Sequence, residues 1–359
     1  MGVTKNASSE LERPALREHT SQYLSKDGNL LLLGVPGSGR RQFIERAVTD
    51  IQGTVLYLDC LRATDRVRFV GLLAQSFLAG FGDYVAGLAW VGQHLPHNQV
   101  QIDPRTRQLN LVCTTTRTLE QDFLTLLDLP QAVARHRQQR VIVFLNNFVH
   151  LGSWDRDESW QAQLRRHLDE LPDANYVLGY GLGSGPDLAI TTDNNYEIVK
   201  LMPLETQLVA RWFAAQGFVC TPPARELITR LVQGHLGTCV ALARRLPVLA
   251  LLTETEVRTA LAHLLEDLSA TFETLLRQLP AIQSRVLETL ALDPTLHPQS
   301  NDYTQKHSLP RGGSLQGALT ALVKKDLLYG PDSQGDDQIA LAYQFCQPLL
   351  GLWIQQYLA

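Results

Sequence analysis

The sequence predicts an α/β core with a parallel sheet, followed by a region made of helices. Two apolar runs, Asn29–Leu33 and Val141–Leu145, have the length and composition of strands that are buried on both faces of a sheet. A glycine-rich turn at residues 34–39 joins the first run to a segment with helical spacing, which is the order of a βα unit. From about Leu204 onward, amphipathic helices dominate the sequence.

Strands and helices alternate through the predicted core, which is typical of a parallel sheet. Residues 99–113 alternate apolar and polar side chains around a turn, and this pattern predicts a hairpin inserted into the core. Helices are predicted at Pro14–Leu24, Arg40–Val48, Val70–Leu78 and Leu119–His136, and strands at Asn29–Leu33, Thr54–Leu58, Val141–Leu145, Tyr176–Leu178 and Tyr196–Val199.

The remainder of the chain reads as helices with one late hairpin. From about residue 270, three helices are followed by a turn-rich stretch and a strand, which is the outline of a winged helix. We therefore predict an α/β core at residues 1–200, a helical lid at 201–268 and a winged-helix region at 269–359. Helices are predicted here at Arg211–Phe218, Ala224–Val232, Thr238–Leu246, Glu254–Leu264, Ile282–Leu290, Asp302–His307 and Ser314–Lys325, with a strand at Gln338–Phe345.

Composition and charge narrow the classes of function. The chain has 359 residues and a formal net charge of −4, so it has no global basic field that would attract nucleic acid. Its first twelve residues are polar and its longest apolar stretch is too short to span a bilayer, so we expect neither a signal peptide nor a membrane partner. The five cysteines include no CxxC pair, which argues against a disulfide framework or a zinc site. We expect a cytoplasmic protein.

The glycine-rich turn carries the clearest chemical signal. Residues 34–41 match the glycine frame of the motif GxxxxGK[ST], in which backbone N–H groups and a helix N-terminus hold phosphate. Arg40 takes the lysine position and keeps the charge, whereas Arg41 replaces the hydroxyl that binds Mg²⁺ and cannot be a metal ligand. A tight turn without a ligand is the alternative. The predicted binding residues are Gly34, Pro36, Gly37, Ser38, Gly39, Arg40 and Arg41.

A second signal lies at the end of the strand Val141–Leu145. Asn146 and Asn147 stand where P-loop enzymes place an acidic pair that holds the Mg²⁺ shell and activates water, and amides serve neither purpose well. They are also ordinary strand-end turn residues. Asp59 ends the second strand at the same sheet edge, where it could bind a metal or orient water, although a capping role is favoured. No catalytic residue is assigned beyond these candidates, and no metal site is predicted.

These motifs resemble, in their order, the archaeal-type ATPase family, which consists of P-loop proteins of the STAND and AAA-like branch. The resemblance runs from about Glu12 to the C-terminus. Besides the glycine loop and the strand ending in Asn146-Asn147, it rests on Leu201-Met-Pro-Leu204, on Gly234-His235 before a helix, and on the closing segment from Tyr343 to Trp353. It implies a P-loop core, a helical lid, a C-terminal winged helix, and ATP or ADP as the ligand.

The sequence departs from the family pattern at several independent positions. The lysine, the hydroxyl and the acidic pair are replaced, and Asp193–Lys200 lacks the arginine that the family often carries there. Tyr180 or Ser184 remains a candidate for contact with a γ-phosphate. The losses predict a protein that binds a nucleotide or another anion at most, with impaired hydrolysis and without the usual Mg²⁺ ligands.

The charge of the winged-helix region bears on its partner. The stretch from Ala270 to Ala359 contains six basic and eight acidic residues, so this region has a net charge of −2. Such a surface is poorly suited to DNA, because binding to phosphates depends on their neutralisation by basic side chains. We expect this region to pack on its own core or on a partner protein, with DNA as the alternative.

Three functional hypotheses remain at this level. The first is a degenerate ATPase that acts as a regulatory or scaffolding partner, through other proteins or through self-association. The second is a working ATPase coupled to DNA through its winged helix. The third is a STAND-like switch, in which the bound nucleotide controls oligomerisation.

Overall fold

The computed structural model describes residues 13–26, 28–106, 108–112, 118–168, 174–183, 196–247, 251–330 and 342–358. Its core is a five-stranded parallel sheet with the order β2-β5-β6-β1-β7. The strand β6 therefore lies between β1, which leads into the glycine loop, and β5, which ends in Asn146. The strands are β1 Asn29–Gly34, β2 Thr54–Asp59, β5 Val141–Asn146, β6 Ala174–Tyr180 and β7 Tyr196–Leu201.

The sheet is covered on both faces, as its continuous apolar runs predict. Every residue of β1, β5 and β6 is buried. Within β1, Leu30 and Leu32 pack into one layer, whereas Leu31 and Leu33 pack into the layer on the opposite face. This alternation is the period of two that a strand imposes on its side chains. The helices of the core are α1 Pro14–Leu24, α2 Arg40–Asp50, α3 Arg66–Ala79, α4 Tyr84–His94, α5 Leu119–Leu127, α6 Leu129–Arg137 and α7 Ser159–Leu168.

Two parts of the core differ from the sequence prediction. The single helix predicted over Leu119–His136 is two helices, because Asp128 ends α5 and Pro130, which has no N–H to donate, lies in the first turn of α6. The segment before the hairpin contains the helix α4, whose N-cap is Asp83. The predicted hairpin itself is present as the antiparallel strands β3 Gln99–Ile102 and β4 Leu109–Val112.

The lid encloses its own hydrophobic cluster, which runs from Leu204 to Ala260. Its last helix continues beyond residue 268, where we predicted the lid to end. Because this helix spans residue 268, it gives no boundary at that point, and the domain boundaries at residues 200 and 268 stay predictions. The lid elements are α8 Thr206–Ala215, β8 Val219–Cys220, α9 Pro222–Val232, α10 Leu236–Ala243, β9 Leu251–Leu252 and α11 Glu254–Arg277.

The winged-helix region packs helices around Leu319 and Trp353, and it adds a short antiparallel pair of strands. Within the described residues, the predicted strand Gln338–Phe345 is seen at its end only, and residues 338–341 lie outside the described ranges. None of the helices described is long and apolar enough to cross a membrane. The elements are α12 Ala281–Leu292, α13 Asn301–Lys306, α14 Gly313–Lys324, β10 Leu328–Tyr329, β11 Gln344–Phe345 and α15 Pro348–Tyr357.

Candidate functional site

The glycine loop connects the carboxyl end of β1 with the first turn of α2. Gly37 and Gly39 have φ angles of 83° and 86°, which side chains other than glycine rarely adopt. Among the described residues, no side chain caps the N-terminus of α2, and the first turn of this helix contains no acidic residue. The free N–H groups of this turn and the helix dipole therefore favour an anion at this position.

Ser38 lies in the middle of the loop and points inward. Its side-chain oxygen is buried and has no hydrogen-bond partner among the described residues, and the residue is only 5% exposed. A side chain at Gly34 would approach this oxygen to 2.5 Å, so the glycine frame makes the tight packing possible. An unpaired buried hydroxyl is uncommon, and here it lies beside an uncapped helix N-terminus.

Arg40, at the lysine position, is buried and directed toward the protein. Its Nη1 donates to the Tyr180 carbonyl at 2.5 Å, and its Nη2 donates to Oδ1 of Asn147 at 2.8 Å. Both acceptors lie at the carboxyl edge of the sheet, at the ends of β6 and β5. Burial lowers the pKa of the Arg40 guanidinium, and Asp326 opposes this shift more strongly than any other nearby charge. The cation is thus held by the ends of two strands.

Asn147 links this cation to the end of β2. Its Nδ2 donates to Oδ1 of Asp59 at 2.8 Å, and the same carboxylate oxygen accepts the Leu61 backbone N–H. Asp59 is the N-cap of a short 3-10 helix, so it has the capping role that the sequence favoured. Asn147 has a φ of 55°, a left-handed conformation that asparagine tolerates better than most residues.

Asn146 and Arg41 occupy the region in which P-loop enzymes hold Mg²⁺. Nδ2 of Asn146 donates to the Tyr57 hydroxyl at 3.3 Å, and its Oδ1 is buried without a partner among the described residues. The Arg41 guanidinium stacks on the Tyr57 ring at 4.3 Å and donates to Glu45 at 2.7 Å. A cation over an aromatic face is a favourable contact, and it places a positive charge where a metal ion would need negative ligands.

The lid contacts the glycine loop directly, through the start of α10. Nδ1 of His235 accepts the Thr238 backbone N–H, so the proton of the neutral ring is on Nε2, which donates to the Pro36 carbonyl at 2.7 Å. The Gly237 N–H donates to the Gly37 carbonyl at 3.0 Å. These two hydrogen bonds dock the lid on the outer side of the loop.

The winged-helix region reaches the same loop from another side. Val35 of the loop packs in a small buried cluster with Tyr329 and Cys346. The side chain of Val323, in α14, lies against the backbone of Gly183 just beyond β6. Together with Asp326 near Arg40, these contacts place the winged-helix region against the edge of the core that carries the candidate site.

Little space is left beside the loop. The cavity lined by Ser38, Met202, His235 and Tyr329 has a volume of about 10 Å³, which is enough for about one water molecule. Arg13 also lines it and donates to the Met202 carbonyl at 2.5 Å, and burial lowers its pKa to about 10. Small-molecule sites usually measure roughly 300–1,000 Å³. This cavity is therefore too small for a nucleotide.

The structure brings together most of the candidates from the sequence. The loop residues, Asp59, Asn147 and the Tyr180 carbonyl form one connected site. Of the acidic residues that follow the asparagines in the sequence, Asp155 accepts the Trp160 and Gln161 N–H groups in the first turn of α7 and so stabilises the start of this helix. Ser184 lies outside the described residues. No group of three potential metal ligands occurs among the histidine, cysteine, aspartate and glutamate side chains described.

Sequence reasoning did not assign a role to three groups at the site. His235 was noted as part of a family match, but its hydrogen bond to Pro36 joins residues that are 199 positions apart. Asp326 faces Arg40 from the winged-helix region, and Arg13 closes the cavity from the start of α1. No local sequence pattern predicts such contacts, since they depend on how the lid and the winged-helix region dock on the core.

Comparison with known proteins supports the fold. Residues 270–356 match the family described as a probable winged helix domain. A Walker-type ATPase of Pyrococcus abyssi matches with a TM-score of 0.60 at 14% identity, covering 96% of each chain. The Aeropyrum pernix ORC1 protein, solved in complex with DNA, matches with a TM-score of 0.50 at 12% identity, covering 96% of this chain and 92% of that one. No curated protein matches the sequence.

These matches confirm the predicted fold class, an α/β P-loop core followed by helices and a winged helix. They also confirm, for the fold, the resemblance to archaeal ATPases that the sequence motifs indicated.

Proposed function

We propose that this chain is a degenerate P-loop ATPase-like protein with impaired hydrolysis, which acts as a regulatory or scaffolding partner of other proteins or of further copies of itself. The observation that carries the proposal is the orientation of Arg40. Both ends of its guanidinium fork are used inside the protein, by the Tyr180 carbonyl and by Asn147. A cation held in this way is poorly placed to follow a phosphoryl group during transfer.

The polar groups around Arg40 support the same proposal. Phosphoryl transfer in P-loop enzymes requires Mg²⁺ held by a hydroxyl and a carboxylate, and a further residue that orients the attacking water. Here Arg41 and Asn146 stand at the positions of the metal ligands, and Asn147 is committed to Arg40 and Asp59. Catalysis would require these side chains to leave the partners that they have in this structure.

ATP, ADP or a smaller anion is the ligand that we propose for the glycine loop, bound through backbone N–H groups and without Mg²⁺. The uncapped start of α2 and the unpaired Ser38 hydroxyl favour such a ligand. The small cavity opposes it as long as His235 and the winged-helix region remain docked. We therefore propose that opening of the lid and the winged-helix region, rather than hydrolysis, controls access to the loop.

Calorimetric titration of the full chain with ATP and with ADP, each with and without Mg²⁺, tests the proposal. We expect the affinity to be independent of Mg²⁺ within about twofold, because no set of metal ligands occurs among the described residues. A steady-state assay of phosphate release should show no Mg²⁺-dependent turnover. Measurable turnover that Arg40→Ala abolishes would overturn the proposal, because it would assign Arg40 a catalytic role.

A DNA-coupled ATPase remains the second candidate function. Two observations favour it, namely the winged-helix match at residues 270–356 and the resemblance in fold to an ORC1 protein solved in complex with DNA. Against it stand the net negative charge of this region and its packing on the core. Duplex binding that weakens steeply with salt, together with ATP turnover stimulated by DNA, would establish this candidate in place of the first.

A further inference from the structure

A second recess lies in the lid, away from the glycine loop. It is a groove of about 240 Å³ between α8 and α9, closed at one end by the residues that lead into β8. Its floor is apolar, since Phe213, Phe218 and Ile228 are all buried in the hydrophobic cluster of the lid. None of the residues that line it belongs to the glycine loop or to the contacts that close the loop.

The rim of the groove is positively charged. The exposed side chains of Arg211, on α8, and Arg225, on α9, flank the opening, and no carboxylate lines it. Within the described part of the chain, neither guanidinium forms an ion pair or a hydrogen bond. By contrast, Arg245 of the same lid pairs with Asp267 at 2.6 Å. The two arginines at the groove are thus cations without a counter-charge among the described residues.

Size and shape indicate what the groove accepts. The volume is below the range of roughly 300–1,000 Å³ that is usual for small-molecule sites, but it suits one large apolar side chain. The groove runs between two surface helices, which is the geometry in which proteins bind short segments through a few apolar anchors. Carboxylates on both sides of the anchor would complement the two guanidinium groups.

We propose that this groove binds a short acidic segment of a partner protein, with one large apolar side chain inserted between α8 and α9. Acidic residues on either side of this anchor lie against Arg211 and Arg225. The inference goes beyond the function proposed above, because it rests on the lid alone and requires neither a nucleotide nor an open glycine loop.

The two kinds of contact contribute differently to binding. The anchor supplies most of the free energy, because it removes apolar surface from water at the buried floor. The exposed arginines act mainly through charge, so their contribution decreases with added salt. An aromatic or leucine anchor should therefore be essential, whereas the acidic flanks should set the salt dependence and the selectivity against basic segments.

Selection from a random library of 12-residue peptides, followed by fluorescence anisotropy with the full chain, tests the proposal. We expect the selected peptides to carry a leucine or an aromatic residue flanked by aspartate or glutamate. Filling the groove with Ala214→Trp should weaken their binding at least about tenfold, as should the pair Arg211→Glu and Arg225→Glu. The matched control is Arg230→Glu on the same helix, an exposed residue that does not line the groove and should alter affinity less than about twofold.

The half-buried thiol of Cys220 lines the groove and gives a second readout. Its alkylation by a maleimide, followed by mass spectrometry of the Cys220 peptide, should slow several-fold when a selected peptide is bound. The proposal is overturned if no peptide is enriched, if the enriched peptides are not acidic, or if Ala214→Trp leaves binding unchanged while the protein stays folded. Self-association that Ala214→Trp abolishes would also overturn it, because the occupant would then be a second copy of the chain.

Discussion

The glycine loop and the lid groove treat their arginines in opposite ways. Arg40 is 7% exposed, makes two internal hydrogen bonds and faces Asp326, whereas Arg211 and Arg225 are exposed and have no counter-charge among the described residues. The loop side is covered by the lid and the winged-helix region and retains a cavity of about 10 Å³. The groove, at about 240 Å³, is open at the surface.

This difference indicates where a ligand would compete with the fewest internal contacts. The hydrogen bonds that Arg40 makes inside the protein contribute to its stability. A ligand that bound the Arg40 guanidinium would break them, so binding at the loop competes with these internal contacts. A cation at an open rim has no such competitor. The residues that resemble an enzyme site therefore act in the structure as part of the scaffold, whereas the less conspicuous lid offers a free surface.

The largest effect is expected from a disulfide that fixes the winged-helix region on the core, in the closed arrangement that this structure shows. A side chain on Gly183 would place its Cβ 3.4 Å from Cβ of Val323, close to the roughly 3.8 Å of a disulfide. The double variant Gly183→Cys and Val323→Cys should bind no ATP when oxidised and should regain wild-type affinity when reduced. Titration calorimetry measures this, with Val323→Cys alone as the control.

The same disulfide should affect the glycine loop but not the lid groove. Peptides selected on the lid groove should bind the oxidised and the reduced double variant equally, since no groove residue takes part in the closure. Nucleotide binding to the oxidised protein, with the disulfide verified by mass spectrometry, would show that the loop is accessible in the closed arrangement.

The next largest effect should come from Gly37→Ala. A side chain here would lie 2.7 Å from the His235 ring, and the residue has a φ of 83°. Strain of about 1–2 kcal/mol from the left-handed backbone adds to about 1–3 kcal/mol from overpacking, so we expect a loss of about 3 kcal/mol in urea unfolding. Gly217→Ala is the matched control, since it has a φ of 85° with no atom within 4 Å, and it should cost about 1–2 kcal/mol. Equal losses in the two variants would mean that the lid is not docked on the loop.

Removal of the Arg40 side chain should have a somewhat smaller effect. Arg40→Ala leaves the Tyr180 carbonyl and Asn147 without their donor in a buried place, which should lower the free energy of unfolding by about 2 kcal/mol. Arg41→Ala serves as the control, because Arg41 is exposed and loses only its surface contacts with Tyr57 and Glu45, which should change stability by about 1 kcal/mol or less. If both variants unfold like the wild type, Arg40 is not part of the scaffold.

The order of elements could be predicted from the sequence because its signal is local. The strand runs predicted at Asn29–Leu33 and Val141–Leu145 correspond to β1 and β5, which are buried along their whole length. Helix boundaries were less accurate: the predicted helix Leu119–His136 is interrupted at Asp128, where the chain has to turn before α6. A pattern of apolar spacing does not register such a turn.

The chemistry of the site could be predicted in part only. The replaced residues at positions 40, 41, 146 and 147 can be recognised from the motif. The direction of the Arg40 guanidinium cannot, because its partners are 107 and 140 positions away in the chain. The hydrogen bond of 2.7 Å between His97 and the fully buried Asp122 cannot be read from the sequence either, because the two residues are 25 positions apart.

The smallest effect that we predict is a pH dependence of the lid contact. Burial lowers the pKa of His235 from its ordinary value of 6.5, because desolvation disfavours the charged ring, while the hydrogen bond to the Pro36 carbonyl acts in the opposite direction. Above pH 6.5 the ring is neutral in both the folded and the unfolded chain. Below pH 6.5 the unfolded chain binds the proton more readily, so the free energy of unfolding should fall as the pH decreases.

The variant His235→Asn isolates this contribution from those of the other histidines. An asparagine at the N-cap can still accept the Thr238 N–H but does not titrate, so the variant should lose stability less steeply between pH 6.5 and pH 5. The slopes of the two profiles should differ by less than about 1.4 kcal/mol per pH unit, which is the limit for the uptake of one proton. Urea unfolding at a series of pH values measures it, and parallel profiles would mean that His235 titrates normally and that the closure of the glycine loop does not depend on its neutral form.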